Sequence, residues 1–348
     1  GAALCEKLRL PDSARRVLLA CGVASAVSAS FNAPIAGMIF AHEVVLGHYA
    51  LSAIVPVVLS SVVGTLLSRL WFGDVAAFII PGHQITPYWE FPAFALLGVT
   101  CAAVAVIFQF ALIGTDWVAR HVRVPTWSRP VIGGVAIGAI AVLFPEIIGV
   151  GYETTDAALK NNLPLTLMLT LLVVKTAATA IALASRFGGG IFSPALYLGA
   201  MTGGSYGLIA ASAFPELASS EGLYAILGMG AVAAAMLGAP FSTTMIVFEL
   251  TGDWQTGLAV MVAVSISTAL ASRLVDRSFF LTQLERRGIH LAAGPQAYLL
   301  AMFRVQNVMR KPDDPRCAPS DQIWEAIEQG YFIEANATLE AAMPIFEK

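Results

Sequence analysis

Apolar residues fill this chain in long unbroken blocks, not in the alternating stripes of a soluble fold. No charged residue occurs in 51–68, 91–115, 131–144, 163–174, 187–215 or 255–272. A bilayer's hydrocarbon core is about 30 Å thick and a helix rises about 1.5 Å per residue, so such blocks are long enough to cross it. The pattern predicts spans near 51–72, 91–115, 131–144, 163–184, 192–213, 222–237, 241–251 and 255–275. Before them come a helix over 14–30, rich in small residues that allow close helix packing, and a short helix from Pro34 to Leu46. Proline suits a first helical position because that N–H would be unpaired anyway. Several spans are short or interrupted by Gly and Pro, the pattern of transporters whose helices end inside the membrane. The predicted fold class is an all-α polytopic membrane protein with broken and re-entrant helices.

The chain also repeats itself. Gly22–Val44, GVASAVSASFNAPIAGMIFAHEV, aligns without gaps on Gly228–Leu250, GMGAVAAAMLGAPFSTTMIVFEL, at a constant offset of 206. Ala33-Pro34 falls on Ala239-Pro240 and Glu43 on Glu249, so each copy carries a carboxylate nine residues after its proline. Paired prolines and glutamates at one offset are not a composition effect. Repeated halves in a membrane chain point to a binding site where they meet.

Composition agrees with the pattern. Of 348 residues, 57% are hydrophobic and 12% charged, against about 25% charged in a soluble domain. Mean hydropathy is +0.75. The net charge of −3 names no partner, and no basic tract with interleaved aromatics supports nucleic-acid binding. Cys5, Cys21, Cys101 and Cys317 lack the spacing of a metal site or disulfide framework. An intramembrane enzyme would need a cluster of His, Asp and Glu, and none is evident. His42 and Glu43 are adjacent and so face different directions on a helix. The reading is a transport protein without enzymatic activity, metal or cofactor.

The most distinctive local motif is Phe187-Gly-Gly-Gly-Ile-Phe-Ser-Pro194. Three glycines allow unusual backbone angles and close approach to a ligand, and a helix begins at Ile191-Phe192. A helix N-terminus offers unpaired N–H groups and about half an elementary positive charge, which attracts an anion reversibly where a lysine would hold it too tightly. A nucleotide P-loop is excluded because no Gly-Lys-Ser/Thr follows.

These residues resemble the voltage-gated chloride channel and chloride–proton antiporter family. Gly189–Pro194, GGIFSP, is similar to its anion-site motif. Phe31–Glu43, FNAPIAGMIFAHE, the Gly228–Glu249 segment with Thr251, and Leu284–Gly288, LERRG, also match, so the resemblance covers roughly residues 1–290. It implies inverted-topology halves, a homodimer with one anion pathway per subunit, and chloride or a similar small anion as substrate. It implies anion-binding roles for Gly189, Gly190, Ile191 and Phe192, the last two through their N–H groups. Phe280 stands where the family has an anion-coordinating tyrosine, so one hydroxyl ligand is missing. Val44 stands where proton-coupled members carry an internal glutamate. Glu43 and Glu249, with Pro34 and Pro240, take a structural or gating role, the carboxylates capping or bridging helix ends. The family's serine loop and external gating glutamate would lie upstream. The opening GAALCEKLRL, without an initiator Met, reads as lying inside a larger protein.

Residues 1–290 are therefore expected to form the membrane domain. Residues 291–348 form a linker and an incomplete domain similar to a CBS module, with an amphipathic helix over 336–346. Arg273, Arg277, Arg286 and Arg287 at the end of the last span place this tail in the cytoplasm of a multi-pass cell-membrane protein. The leading functional expectation is a passive or voltage-gated anion pathway, because Val44 cannot titrate. The alternatives are a proton-coupled chloride antiporter and a non-transporting relic or fragment.

Overall fold

The computed structural model describes residues 5, 7, 12–74, 78, 90–122, 124–215, 219–275, 278–285, 303–310 and 317–346. Arg277 and Arg286–Gly288 lie outside the described residues. The chain forms two units: residues 1–46 with 51–280, and residues 47–50 with 281–348.

In the first unit, helices α1 (Asp12–Phe31), α2 (Pro34–Phe40), α3 (Leu51–Phe72), α4 (Phe91–His121), α5 (Arg129–Leu143), α6 (Tyr152–Leu159), α7 (Leu165–Ala184), α8 (Phe192–Ala213), α9 (Glu221–Leu237), α10 (Pro240–Thr251) and α11 (Trp254–Leu274) follow in order. Among the described residues, five helices are long and apolar enough to cross a membrane: Ala14–Phe31, Leu51–Phe72, Phe91–His121, Leu165–Ala184 and Trp254–Leu274. The outer row of α3, with Leu51, Val55, Leu59, Leu66 and Leu70 all exposed, has spacings of four and seven residues that one helix face presents together. Among the described residues the protein is a nearly all-helical polytopic membrane protein of inverted-topology repeats.

The structure departs from the sequence reading in several places. The helix expected from Pro34 to Leu46 divides: α2 stops at Phe40 and Ala41–Leu46 wind as a π-helix. Angular offsets counted at 100° per residue therefore fail around His42, Glu43 and Val44. Helix α4 continues to His121, past the end of its charge-free block. Asp116 and Arg120 pair at 2.8 Å across one turn there, so the polar end stays helical. A 3₁₀ turn at Pro145–Ile147 and helix α6 were not anticipated.

Small residues set the helix spacing. A Cβ on Gly203 of α8 would lie 2.0 Å from the Tyr224 carbonyl oxygen of α9, and one on Gly228 of α9 would lie 2.4 Å from the Gly199 carbonyl oxygen of α8. These backbones touch, which is how helices associate where lipid removes the hydrophobic drive. A hydroxyl ladder joins α1, α2 and α3. Ser28 Oγ donates to the Ala24 carbonyl at 2.6 Å and meets Ser61 Oγ at 2.6 Å, and Ser61 Oγ donates to the Pro34 carbonyl.

The repeat halves meet through reciprocal caps. Proline at the first position of α2 leaves the next two amides without intrahelical partners. Ile35 and Ala36 N–H donate to the Glu249 carboxylate at 3.0 and 2.7 Å. At the matching end of α10, Phe241 and Ser242 N–H donate to Glu43 at 3.1 and 2.8 Å. The Ser242 hydroxyl adds a third bond at 2.7 Å. Every partner in one cap lies 206 residues from its counterpart in the other. Such exchange, i to j and j to i, is the signature of a two-fold axis.

The second unit folds its tail on itself. Arg304 and Thr338 form an antiparallel bridge, supported by Val305 N–H to Ala337 and Leu339 N–H to Phe303 carbonyl bonds, each 2.9 Å. Short helices lie at Val305–Val308, Ser320–Glu328 and Leu339–Phe346. The second was not anticipated, and the third begins three residues later than expected.

Candidate anion site

The glycine turn joins α7 to α8. Helix α7 ends with Phe187 N–H donating to the Ala182 carbonyl at 3.1 Å and Arg186 in the left-handed region at φ 64°. Gly188, Gly189 and Gly190 follow, none at positive φ, and a Cβ on any of them would meet nothing within 4 Å. Their role here is open space rather than unusual backbone angles. Ile191 stands at the N-cap of α8, with no side-chain cap. Its carbonyl accepts from Ala195 N–H at 3.0 Å, while the Ile191 and Phe192 N–H groups donate to no described residue. Pro194 supplies no N–H. The start of α8 therefore carries open donors and the positive end of the helix dipole.

A cavity of about 640 Å³ adjoins this turn. Gly188–Ile191 form part of its wall. Helix α5 contributes Gly134 and Gly138, helix α7 contributes Lys175 and Thr179, and Ile147–Gly149 close one side. Phe192 turns its ring away from the lining set and packs on the first repeat. Its centroid is 5.2 Å from that of Phe31 and 5.5 Å from that of Phe40. The glycine turn is thus clamped to the Phe31–Glu43 segment by aromatic contact, worth about 0.5–1.5 kcal/mol per pair.

Phe280 packs against the main core with Phe279 beside it at 6.2 Å between ring centroids, and it does not line the cavity. Val44 also packs against the core. Glu43, Glu249, Pro34 and Pro240 are brought together at the reciprocal caps, away from the lining of the cavity.

Two features escaped the sequence reading. Lys175, only 3% exposed, stands inside the span Leu165–Ala184. Its Nζ donates to the Ile147 and Gly149 carbonyls at 2.8 and 3.1 Å and lies 4.9 Å from the Tyr197 ring centroid. A lone ionisable residue in an apolar span is itself a signal of function. Glu90, 5% exposed, precedes α4 and accepts from Ser219 N–H, Ser219 Oγ and Tyr224 Oη at 2.6, 2.5 and 2.6 Å. It ties the start of α4 to the start of α9, and its bonds leave it a structural lock.

Residues 1–272 match the family model described as Voltage gated chloride channel. The chain belongs to the voltage-gated chloride channel family. It is 31% identical over 248 residues to a putative chloride channel protein, ClcB-like, of Ralstonia nicotianae, covering 71% of this chain and 58% of that protein. It is 30% identical over 287 residues to the H(+)/Cl(-) exchange transporter ClcA of Klebsiella pneumoniae, covering 80% of this chain and 60% of that one. The crystal structure of a slow cyanobacterial Cl−/H+ antiporter superposes with a TM-score of 0.70 at 22% identity, covering 81% of this chain and 67% of that one. This member of the family spans 58% and 60% of the length of the two relatives named first.

Proposed function

We propose that this protein moves chloride across a membrane by proton-coupled exchange, with the open N–H groups of Ile191 and Phe192 holding the anion. The observation that carries the anion reading is that uncapped helix start beside a cavity. The names of relatives such as the Klebsiella exchange transporter and the cyanobacterial antiporter favour exchange over the passive or voltage-gated pathway that Val44 suggested. Protons then need a station other than position 44. His42, fully buried in the π-helical turn, takes that role. Glu43 does not, because its carboxylate is committed to the α10 cap. The same reading makes the protein a homodimer with a cytoplasmic C-terminus, and residues 291–348 a linker with an incomplete CBS-like domain.

The test is the full-length protein in liposomes with a chloride gradient, voltage clamped and an internal pH dye. Exchange drives protons uphill on the chloride gradient, and His42→Ala abolishes that movement. Chloride flux with no proton movement would return the pathway to a passive one.

Phe280→Tyr restores a hydroxyl at the position read as an anion ligand. A hydrogen bond to a charge contributes about 1.5–3 kcal/mol, less what water already supplies, so chloride should bind about tenfold more tightly. Calorimetric chloride titration measures this, and an unchanged affinity removes Phe280 from the site.

A further inference from the structure

We infer that Asn32, latched by Arg69 and Asp74, is a positioning residue: it fixes the hinge between α1 and α2 and, through that hinge, the two rings that hold Phe192 at the start of α8. This rests on the anion reading of the Ile191 and Phe192 amides.

The hinge is two residues long. Helix α1 ends at Phe31 and α2 begins at Pro34, and Asn32 turns the chain in the left-handed region at φ 55°. The second repeat turns the same way at the matching position, where Gly238 has φ 67°. The closing bond matches as well: Ala33 N–H donates to the Ser28 carbonyl and Ala239 N–H to the Ala234 carbonyl, both at 3.2 Å. Glycine adopts this backbone freely, whereas a side chain resists it. The turn alone therefore calls for glycine, and asparagine in the first repeat needs a reason in its side chain.

Both ends of that side chain are used. Arg69 Nε donates to Asn32 Oδ1 at 2.7 Å, Asn32 Nδ2 donates to Asp74 Oδ1 at 2.9 Å, and Arg69 Nε lies 3.2 Å from the same Asp74 oxygen. The three groups close a triangle that ties the hinge to the end of α3. Arg69 and Asp74 are both exposed, and an exposed ion pair adds little to global stability. What the triangle fixes is an angle. Phe31 precedes the hinge on α1, Phe40 follows it on α2, and Phe192 packs against both rings. A change at Asn32 moves one ring relative to the other, and Phe192 must follow with its N–H. In the second repeat Leu237 takes the place of Phe31, and a Cβ on Gly238 would lie 2.8 Å from Ser278 Cβ. The latch thus belongs to the repeat whose hinge bears on the glycine turn.

Calorimetric chloride titration of the full-length protein, with melting temperature measured alongside, tests this. Arg69 is a poor place to cut, because it also acts electrostatically on Glu249. Asn32→Gly keeps the turn and removes both side-chain bonds. It should weaken chloride binding about tenfold with little change in melting. Asp74→Ala, at an exposed position, loosens the same latch without touching the hinge backbone and should weaken binding about threefold. Asn32→Asp combined with Asp74→Asn exchanges carboxamide and carboxylate, rebuilds the triangle and should restore affinity. Ser68→Ala breaks a different bond between α3 and α1, from Ser68 Oγ to the Ala29 carbonyl at 3.0 Å, and should leave affinity unchanged. In a Phe31→Leu background, Asn32→Gly should add nothing, because the two act through one ring. Unaltered affinity in both Asn32→Gly and Asp74→Ala overturns the inference and leaves the proposed function standing. So does an equal loss in Ser68→Ala, or a full further loss in the Phe31→Leu background. Absence of chloride binding in the unaltered protein overturns the anion reading itself and this inference with it.

Discussion

Glu249→Ala will destabilise the membrane domain by about 3 kcal/mol, and Glu43→Ala by about 1 kcal/mol more. Each carboxylate accepts two amides at the start of the other repeat's helix, and Glu43 accepts the Ser242 hydroxyl as well. Removing either leaves two donors without partners, at about 1–3 kcal/mol each, where lipid offers no replacement. The attraction between a carboxylate and the positive end of a helix is lost too. Glutamine at either position retains one acceptor oxygen and turns an NH₂ toward the second amide, so it should recover about half of the loss. Ser242→Ala should remove the difference between the two sites, about 1 kcal/mol for one hydrogen bond. The two caps hold the same pair of helices, so the double alanine variant should fall short of the sum. Thermal unfolding in detergent, followed by thiol accessibility or size exclusion, reads all of these. An unchanged melting temperature for Glu249→Ala would mean that the cap contributes nothing.

Gly203→Val will be worse than either cap variant and will prevent accumulation of folded protein. The obstacle is backbone: the first carbon added would lie 2.0 Å from the Tyr224 carbonyl oxygen and 2.8 Å from the Ala225 Cα. Neither can rotate away, so α8 and α9 must separate, and overpacking of even a forgiving core costs about 1–3 kcal/mol. Alanine at 203 should already lower the melting temperature by several degrees. Gly114 in α4 provides the contrast. A Cβ there meets nothing within 4 Å, and alanine should stabilise the helix by up to about 1 kcal/mol through propensity alone. Equal expression and melting for Gly203→Ala and Gly114→Ala would refute the packing account.

How much of this was legible in the sequence depends on what each feature leaves in the residue pattern. Helices buried in lipid or protein leave blocks without charge, so α3, α8 and α10 lie within a residue of their predicted bounds. The repeat was visible because proline and glutamate are scarce enough to mark position. The capping role of its glutamates was legible too, but their partners were not, since a hydrogen bond across more than 190 residues has no local signature. Helix α6, Tyr-Glu-Thr-Thr-Asp-Ala-Ala-Leu, is short and polar, and reads as a loop by periodicity. The π-helical turn at 41–46 is invisible for another reason: six residues do not sample its period. Lys175 was within reach. It follows directly on the charge-free block 163–174 and sits inside the predicted span, and a lone cation there should have been asked for its partner. The glycine turn was correctly placed at a helix start, but its glycines provide room instead of left-handed backbone.

Ribosomal synthesis gives the reciprocal caps a temporal meaning. When α2 is made, the carboxylate that completes its first turn is still 213 and 214 residues away along the chain. Neither repeat can finish its own helix start, so the first waits, with two bare amides, until nearly all of the second has been inserted. Contacts this distant slow folding because the closure entropy must be met before the bonds form. Assembly of the halves is therefore a late, obligatory event. A ribosome that stalls before residue 249 leaves a product with an open helix end in the bilayer, the kind of defect that membrane quality control can recognise.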